Sequence, residues 1–473
     1  MTAIQSGTVA VRETATGAST EAPKSRSLAV WRLAWPAVLT SLLQSTVGVV
    51  DVQAVGSLGA SAVAAATAGQ RLLFILHALL SGVTTGTVAL VARAWGANDR
   101  DEASRVVSSS LVIGCSIALM TTLIACVMAA PFATMFGLEG GARELAATYI
   151  RWVSCFTVVF AVSFVLSGGL RGAGDTRTPL LIGLVTNSAN VFFLYLLVYG
   201  ALRFPKLGIK GAALAWGLAF TVGALLVVYL WRSGRLLLRP LRGFAGGRER
   251  FRKLVLIGYP AALEQLVWQS GFIVFTVIIS RFSGTAALAA YGIGVQIHLL
   301  SNVVGFGFAI AAATLVGQHL GAGEPEQAAQ SARRAVALAV GSMSVVAVLI
   351  FTLARPIATL MISDPEVARL LVGFLHVIAI AQPLIAVEHA LGGSLRGAGD
   401  TRFLLLTAST GWLGRLLFAS VFAWLGYSVE WLFAALLADY ILKAILLITR
   451  FRSNKWQQAL ARLRARKIGS AAD

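Results

Sequence analysis

The octapeptide "LRGAGDTR" is written twice in this chain, at Leu170–Arg177 and again at Leu395–Arg402, 225 residues apart. Eight identical positions, polar and glycine-bearing, in a chain that is 57% hydrophobic point to an internal duplication. The repeat extends outward from that peptide. At the same spacing "VARAWGANDRDEA" (91–103) runs parallel to "VGQHLGAGEPEQA" (316–328), and "GASAVAAA" (59–66) to "GTAALAAY" (284–291). "WPAVL" (35–39) matches "YPAAL" (259–263) at a spacing of 224, which implies one indel inside the first loop.

Composition names the medium. Only 12% of residues are charged and the mean hydropathy is +0.80; a soluble chain carries about 25% charged residues. Twelve apolar runs, at 29–56, 68–92, 106–131, 146–170, 178–201, 210–231, 254–280, 292–317, 335–355, 368–395, 403–426 and 429–450, each suit a bilayer crossing. Six runs per repeat return the second copy to the orientation of the first, giving a parallel repeat about an axis along the membrane normal. The predicted fold is therefore all-α, with twelve transmembrane helices in two six-helix lobes. The expected parts are a disordered tail (1–27), a lobe (28–231), a linker (232–253), a second lobe (254–450) and a basic tail (451–473).

The formal net charge of +19 would suggest nucleic acid in a soluble protein; here it reads as the basic bias of cytoplasmic segments. With both termini inside, 28 Lys and Arg fall on the cytoplasmic side and 9 on the other. Both octapeptides then lie in the cytoplasm. The expected partners are a small-molecule substrate and the lipid bilayer, not nucleic acid, and the chain is expected to act as a monomer in the inner membrane.

Six charged side chains inside the spans stand out: Asp51, Glu264, Glu388, Asp439, Arg415 and Lys443. Such groups face a cavity or a partner. Asp51 is either interfacial or a carboxylate in a central cavity that exchanges a proton or cation. Glu264 has no Lys or Arg nearby in its own span and is expected to be an unpaired acid near the midplane. Asp439 and Lys443, spaced i, i+4, can pair on one helical face as a structural cluster, with Glu388 as a partner or an ion-coupling carboxylate and Arg415 as a partner or a substrate-cavity group. Gln44, Asn187, Asn190, Gln269 and Gln296 suit interhelical hydrogen bonds or cavity walls.

The octapeptide is not a phosphate-binding loop, because neither copy contains G-x-G-x-x-G and no Gly-Lys dipeptide occurs anywhere. Its glycines suit a tight turn, with Asp175 and Asp400 capping the next helix or binding flanking arginines such as Arg171 and Arg396. The three cysteines and five histidines show no metal spacing, and of the histidines only His389, beside Glu388, invites mutation. No cofactor is expected, and nothing resembles paired catalytic acids or a His/Asp cluster, which disfavours a membrane enzyme.

Twelve spans in two halves, with "LRGAGDTRTP" (170–179) after the fourth and "LRGAGDTR" after the tenth, resemble the multidrug and toxic compound extrusion (MATE) family, supported by "VVDVQAVGSLG" (49–59) and "GYPAALEQ" (258–265). The resemblance covers about residues 28–450. It implies two lobes around a central cavity and export of organic cations or other toxic compounds in exchange for H⁺ or Na⁺. Asp51 matches the family's coupling aspartate of span one, and Glu264 the glutamate of span seven. Two positions depart: Leu194 stands where an aspartate often follows Asn190, and Ile385 where one branch has an aspartate, with Glu388 one turn on. At the 225-residue offset Arg415 occupies the counterpart of Asn190. A related reading is export or flipping of a lipid-linked or polysaccharide precursor.

Overall fold

A computed structural model describes residues 23–239 and 247–459. Among these the regular elements are helices: α1 (Pro23–Gly56), α2 (Ala60–Gly96), α3 (Arg100–Met135), α4 (Gly140–Ser154), α5 (Thr157–Gly172), α6 (Arg177–Leu197), α7 (Ile209–Arg232), α8 (Gly247–Gly321), α9 (Pro325–Met361), α10 (Pro365–Ala398), α11 (Thr401–Trp424) and α12 (Val429–Arg452), with short 3-10 turns after α6 and α12.

Ten of these helices are individually long and apolar enough to cross a bilayer. Two irregularities raise the tally to twelve crossings. α4 and α5 form one span bent by 48°, a break the sequence reading missed. Hydroxyls cover the backbone it frees: Thr122 Oγ1 and Thr157 Oγ1 both donate to the Ser154 carbonyl at 2.9 Å. α8, at 75 residues, is two spans folded at Gly284 (φ 77°, ψ −177°), a backbone that L side chains rarely adopt. Phe275 and Tyr291 touch with ring centroids 5.5 Å apart, whereas 16 residues of straight helix span about 24 Å.

The expected boundaries shift. α1 begins at Pro23, inside the expected tail of 1–27, and residues 1–22 lie outside those described. α8 begins at Gly247, so the second part of the 232–253 linker is already helical, while 240–246 lie outside. α12 continues to Arg452, past the expected start of the final tail, of which 460–473 lie outside.

Pseudo-symmetry is visible atom by atom. Each octapeptide turns at a left-handed glycine, Gly174 (φ 92°) and Gly399 (φ 83°). The closing hydrogen bonds Asp175 N→Leu170 O and Asp400 N→Leu395 O are both 2.9 Å. Where the lobes cross, a Cβ on Gly82 would meet the Gly258 carbonyl and Ala262, and one on Gly307 would meet the Ala34 carbonyl and Val38. These are the same contact at offsets of 225 and 224, so the indel inferred from sequence is real.

The lobes join at the octapeptide end. A Cβ on Gly96 would stand 1.8 Å from the Gln318 carbonyl oxygen, and one on Gly321 2.0 Å from that of Arg93. Thr314 Oγ1 donates to the Arg171 carbonyl (2.9 Å) and Gln318 Nε2 to that of Gly172 (3.1 Å). Arg250 forks onto Glu102 with two bonds of 2.8 Å. Toward the other end, Gly48, Gly56 and Gly292 have nothing within 4 Å, and Val49 and Val52 are exposed. These glycines make no close crossing of the kind that joins the lobes at the octapeptide end.

Candidate functional site

Asp51 lies five residues before the end of α1, half-buried against α6, and its carboxylate oxygen accepts a 2.7 Å hydrogen bond from Asn190 Nδ2. The structure thus joins two residues that the sequence places 139 apart. The contact forms because α1 packs on α6 with both polar groups turned into the seam. Asn190 Oδ1 is buried without a partner, so the same amide, turned over, can accept a hydrogen bond from the O–H of neutral Asp51. Leu194, one turn along α6, is buried and apolar.

Glu264 is not unpaired, contrary to the expectation. Arg396 Nη2 reaches its carboxylate at 2.5 Å from α10, and both side chains are partly exposed. Span-local inspection missed the partner because it belongs to the octapeptide of another helix. Arg396 is therefore a helical side chain pointing back along α10, and not only part of a turn. The other octapeptide residues divide. Asp175 Oδ1 accepts the backbone N–H of Arg177 (3.1 Å) and Thr178 (2.9 Å), opening α6 as expected. Asp400 does not cap α11 with its side chain; it pairs with Arg450 of α12 at 2.8 Å. Arg171 lends its carbonyl to Thr314 at the lobe junction.

The remaining intramembrane charges form one chain. Arg415 hydrogen-bonds Asp439, Lys443 Nζ lies 3.1 Å from Asp439, and the same Nζ lies 3.2 Å from Glu388. Asp439, Arg415 and Lys443 are buried, so their charges must balance locally. Arg415 is further held over Trp412 at 4.2 Å. Beside this chain His298 Nε2 contacts Tyr440 Oη (3.0 Å) and Asn302 Nδ2 (3.1 Å), and Gln382 Nε2 donates to Ser301 Oγ (2.7 Å). Sequence reasoning passed over this network; the signal was available as polar residues inside apolar spans. His389 is structural, its Nδ1 on the Ile385 carbonyl at 2.9 Å and its ring edge-on to Phe306. Gln44 is exposed on α1 and Gln269 half-buried on α8.

The two lobes differ at equivalent positions. The counterpart of Asn190 is Arg415, and that of Asp51, at the 224 spacing, is Phe275, which is fully buried with the Arg415 guanidinium 5.7 Å from its ring. Every acid in the C-terminal lobe's intramembrane set has a basic partner. Asp51, among the described residues, has a neutral amide instead.

The MatE family model matches residues 36–196 and 260–421. The chain is 28% identical over 446 residues to the probable multidrug resistance protein NorM of Thermotoga maritima, covering 93% of this chain and 95% of that protein. It is 24% identical over 443 residues to the uncharacterized transporter YisQ of Bacillus subtilis, covering 92% and 96%. In fold it is similar to the MATE transporter VcmN of Vibrio cholerae in its bent form, with TM-score 0.85, 22% identity and coverage of 92% and 99%. It is also similar to a MOP superfamily transporter of Pyrococcus furiosus, described as having a binding pocket of reverse polarity, with TM-score 0.83, 22% identity and coverage of 91% and 95%.

Proposed function

The chain belongs to the MatE family, whose members are transporters and not enzymes, and on that premise we propose that it is a secondary antiporter exporting small organic cations or amphipathic compounds in exchange for protons. One observation carries the coupling: Asp51 is the intramembrane carboxylate whose partner is a neutral amide that can donate to the ionised acid or, turned over, accept from the neutral one. Either protonation state is then accommodated at little reorganisation. A hard metal cation wants several oxygen ligands, and the Asn190 amide presents an N–H to the carboxylate, so the site suits H⁺ better than Na⁺. Glu264 and Glu388, held by Arg396 and Lys443, serve as fixed charge pairs of the cavity wall and lobe core.

Exchange follows from competition. Ionised Asp51 attracts a cationic substrate, protonation releases it, and each ligand must weaken the other by the same factor. The basic bias supports a cytoplasmic octapeptide end, and lobes joined there suit an arrangement that opens to the outside. Because Arg396, Arg415 and Lys443 are each matched by an acid, the cavity gains no surplus positive charge for a polyanionic lipid-linked precursor. The test is efflux of a fluorescent organic cation from proteoliposomes. An imposed pH gradient is expected to drive it without sodium; efflux driven only by a sodium gradient would overturn the proton assignment.

A further inference from the structure

The C-terminal lobe contains a cavity of about 400 Å³ that transport leaves unused. It lies at the octapeptide end, in the groove between α9 and α12, both of which pack on α10. Arg333 and Arg452 stand on opposite walls with Asn454 beside them, over Val336, Ile448 and Phe451. Helix direction orders these groups by depth. α9 enters the membrane from Pro325, so Val336 lies about one turn deeper than Arg333; α12 leaves it at Arg452, so Ile448 lies about one turn deeper than Arg452. The result is a basic rim above an apolar trough. Both arginines are exposed, and neither has an ion pair or ring contact among the described residues. Neighbouring Arg450, by contrast, is held by Asp400 and the Phe403 ring. The chain beside Arg452 is held in place. Asn454 turns the chain at φ 55°, and buried Trp456 stacks on Phe451 while its indole N–H donates to the Phe451 carbonyl at 3.0 Å.

The duplication provides an internal control. The counterparts of Val336 and Arg333 at the 225 offset are Leu111 and Ser108. In the last helix of each lobe the left-handed turn residues Gly234 and Asn454 set an offset of 220, which makes Trp231 the counterpart of Phe451. Leu111 and Trp231, both larger, pack into the core of the N-terminal lobe, and Leu238 of the following segment is buried with them. In the C-terminal lobe Val336 and Phe451 are smaller than these two, and Arg333 stands where the first lobe has Ser108.

We propose that this slot binds one anionic phospholipid, its phosphate between Arg333 and Arg452 and an acyl chain along Val336 and Ile448. Two cations above an apolar trough at the membrane surface complement such a molecule. A zwitterionic lipid would bring its own ammonium against the guanidinium groups, and inorganic phosphate would leave the trough unfilled. The proposal stands independently of the coupling ion and of the exported substrate.

The test is native mass spectrometry of the intact, delipidated protein titrated with phosphatidylglycerol, phosphatidylcholine or inorganic phosphate. Wild type is expected to retain one phosphatidylglycerol more tightly than any phosphatidylcholine, a preference that needs no variant to read. Arg333→Ala with Arg452→Ala should weaken that retention roughly 30-fold, about fivefold per cation at a membrane surface. Val336→Leu with Phe451→Trp, which copies the larger side chains of the N-terminal lobe and keeps both charges, should weaken it at least as much. The proposal is overturned if wild type holds phosphatidylcholine equally well, if inorganic phosphate displaces the bound phosphatidylglycerol, or if both double variants, with wild-type melting in phosphatidylcholine, retain it unchanged.

Discussion

Gly96→Ala tests whether the glycine crossing holds the lobes together. The added Cβ would stand 1.8 Å from the Gln318 carbonyl oxygen and 2.6 Å from its carbon. An ordinary C···O contact is about 3.3 Å, so the helices must separate by roughly 1.5 Å at this crossing. The symmetry-related contact of Gly321 with Arg93, as tight at 2.0 Å, loosens with it. Overpacking of this kind costs about 1–3 kcal/mol, a shift of roughly 5- to 150-fold away from the joined state. Alanine also favours helix by about 1 kcal/mol, so Gly341→Ala, where nothing lies within 4 Å, is the matched control. The assay is a spin-label distance between Asp101→Cys and Glu326→Cys, exposed near the starts of α3 and α9, with the three native cysteines replaced by serine. The long-distance population should grow in Gly96→Ala and not in Gly341→Ala. Identical distributions in both would refute the claim that this crossing sets the closed end.

Arg415→Ala should lower the melting temperature strongly, since removing one partner of a buried pair costs about 3–5 kcal/mol; the remaining Asp439–Lys443 contact of 3.1 Å should soften the loss. Adding Asp439→Asn should recover part of it, and no recovery would argue against their pairing. Gly284→Ala should reduce folded yield, because φ 77° at the hairpin of α8 is strained for any residue with a Cβ; normal yield and melting would contradict the hairpin. Reporter fusions at residues 240 and 473 should both score cytoplasmic, and an external score for either would break the topology.

The duplication, the all-helical class and the sequence offsets were legible because they are written in period and identity. Breaks were less so: hydropathy sees the apolar run 146–170, and not the turn at Cys155–Phe156, because Thr122 supplies its hydrogen bond from another helix. The site divides in the same way. Asp51 and the Asp439–Lys443 pair could be singled out from depth and i, i+4 spacing. The partner of Glu264 could not, since Arg396 is 132 residues away and read as part of a turn. Pairing across helices is a tertiary fact, and it changes the meaning of a charge from available to neutralised.

The central claim is that Asp51, rather than Glu264 or Glu388, releases its proton to solvent when substrate binds. The most direct measurement is proton release on binding an organic cation, from titration calorimetry of the purified protein in two buffers of different ionisation enthalpy. Wild type, Glu264→Gln and Glu388→Gln are expected to release protons alike on binding, and Asp51→Asn to bind with none. Wild-type release from Asp51→Asn, or its loss in Glu264→Gln, would contradict the account.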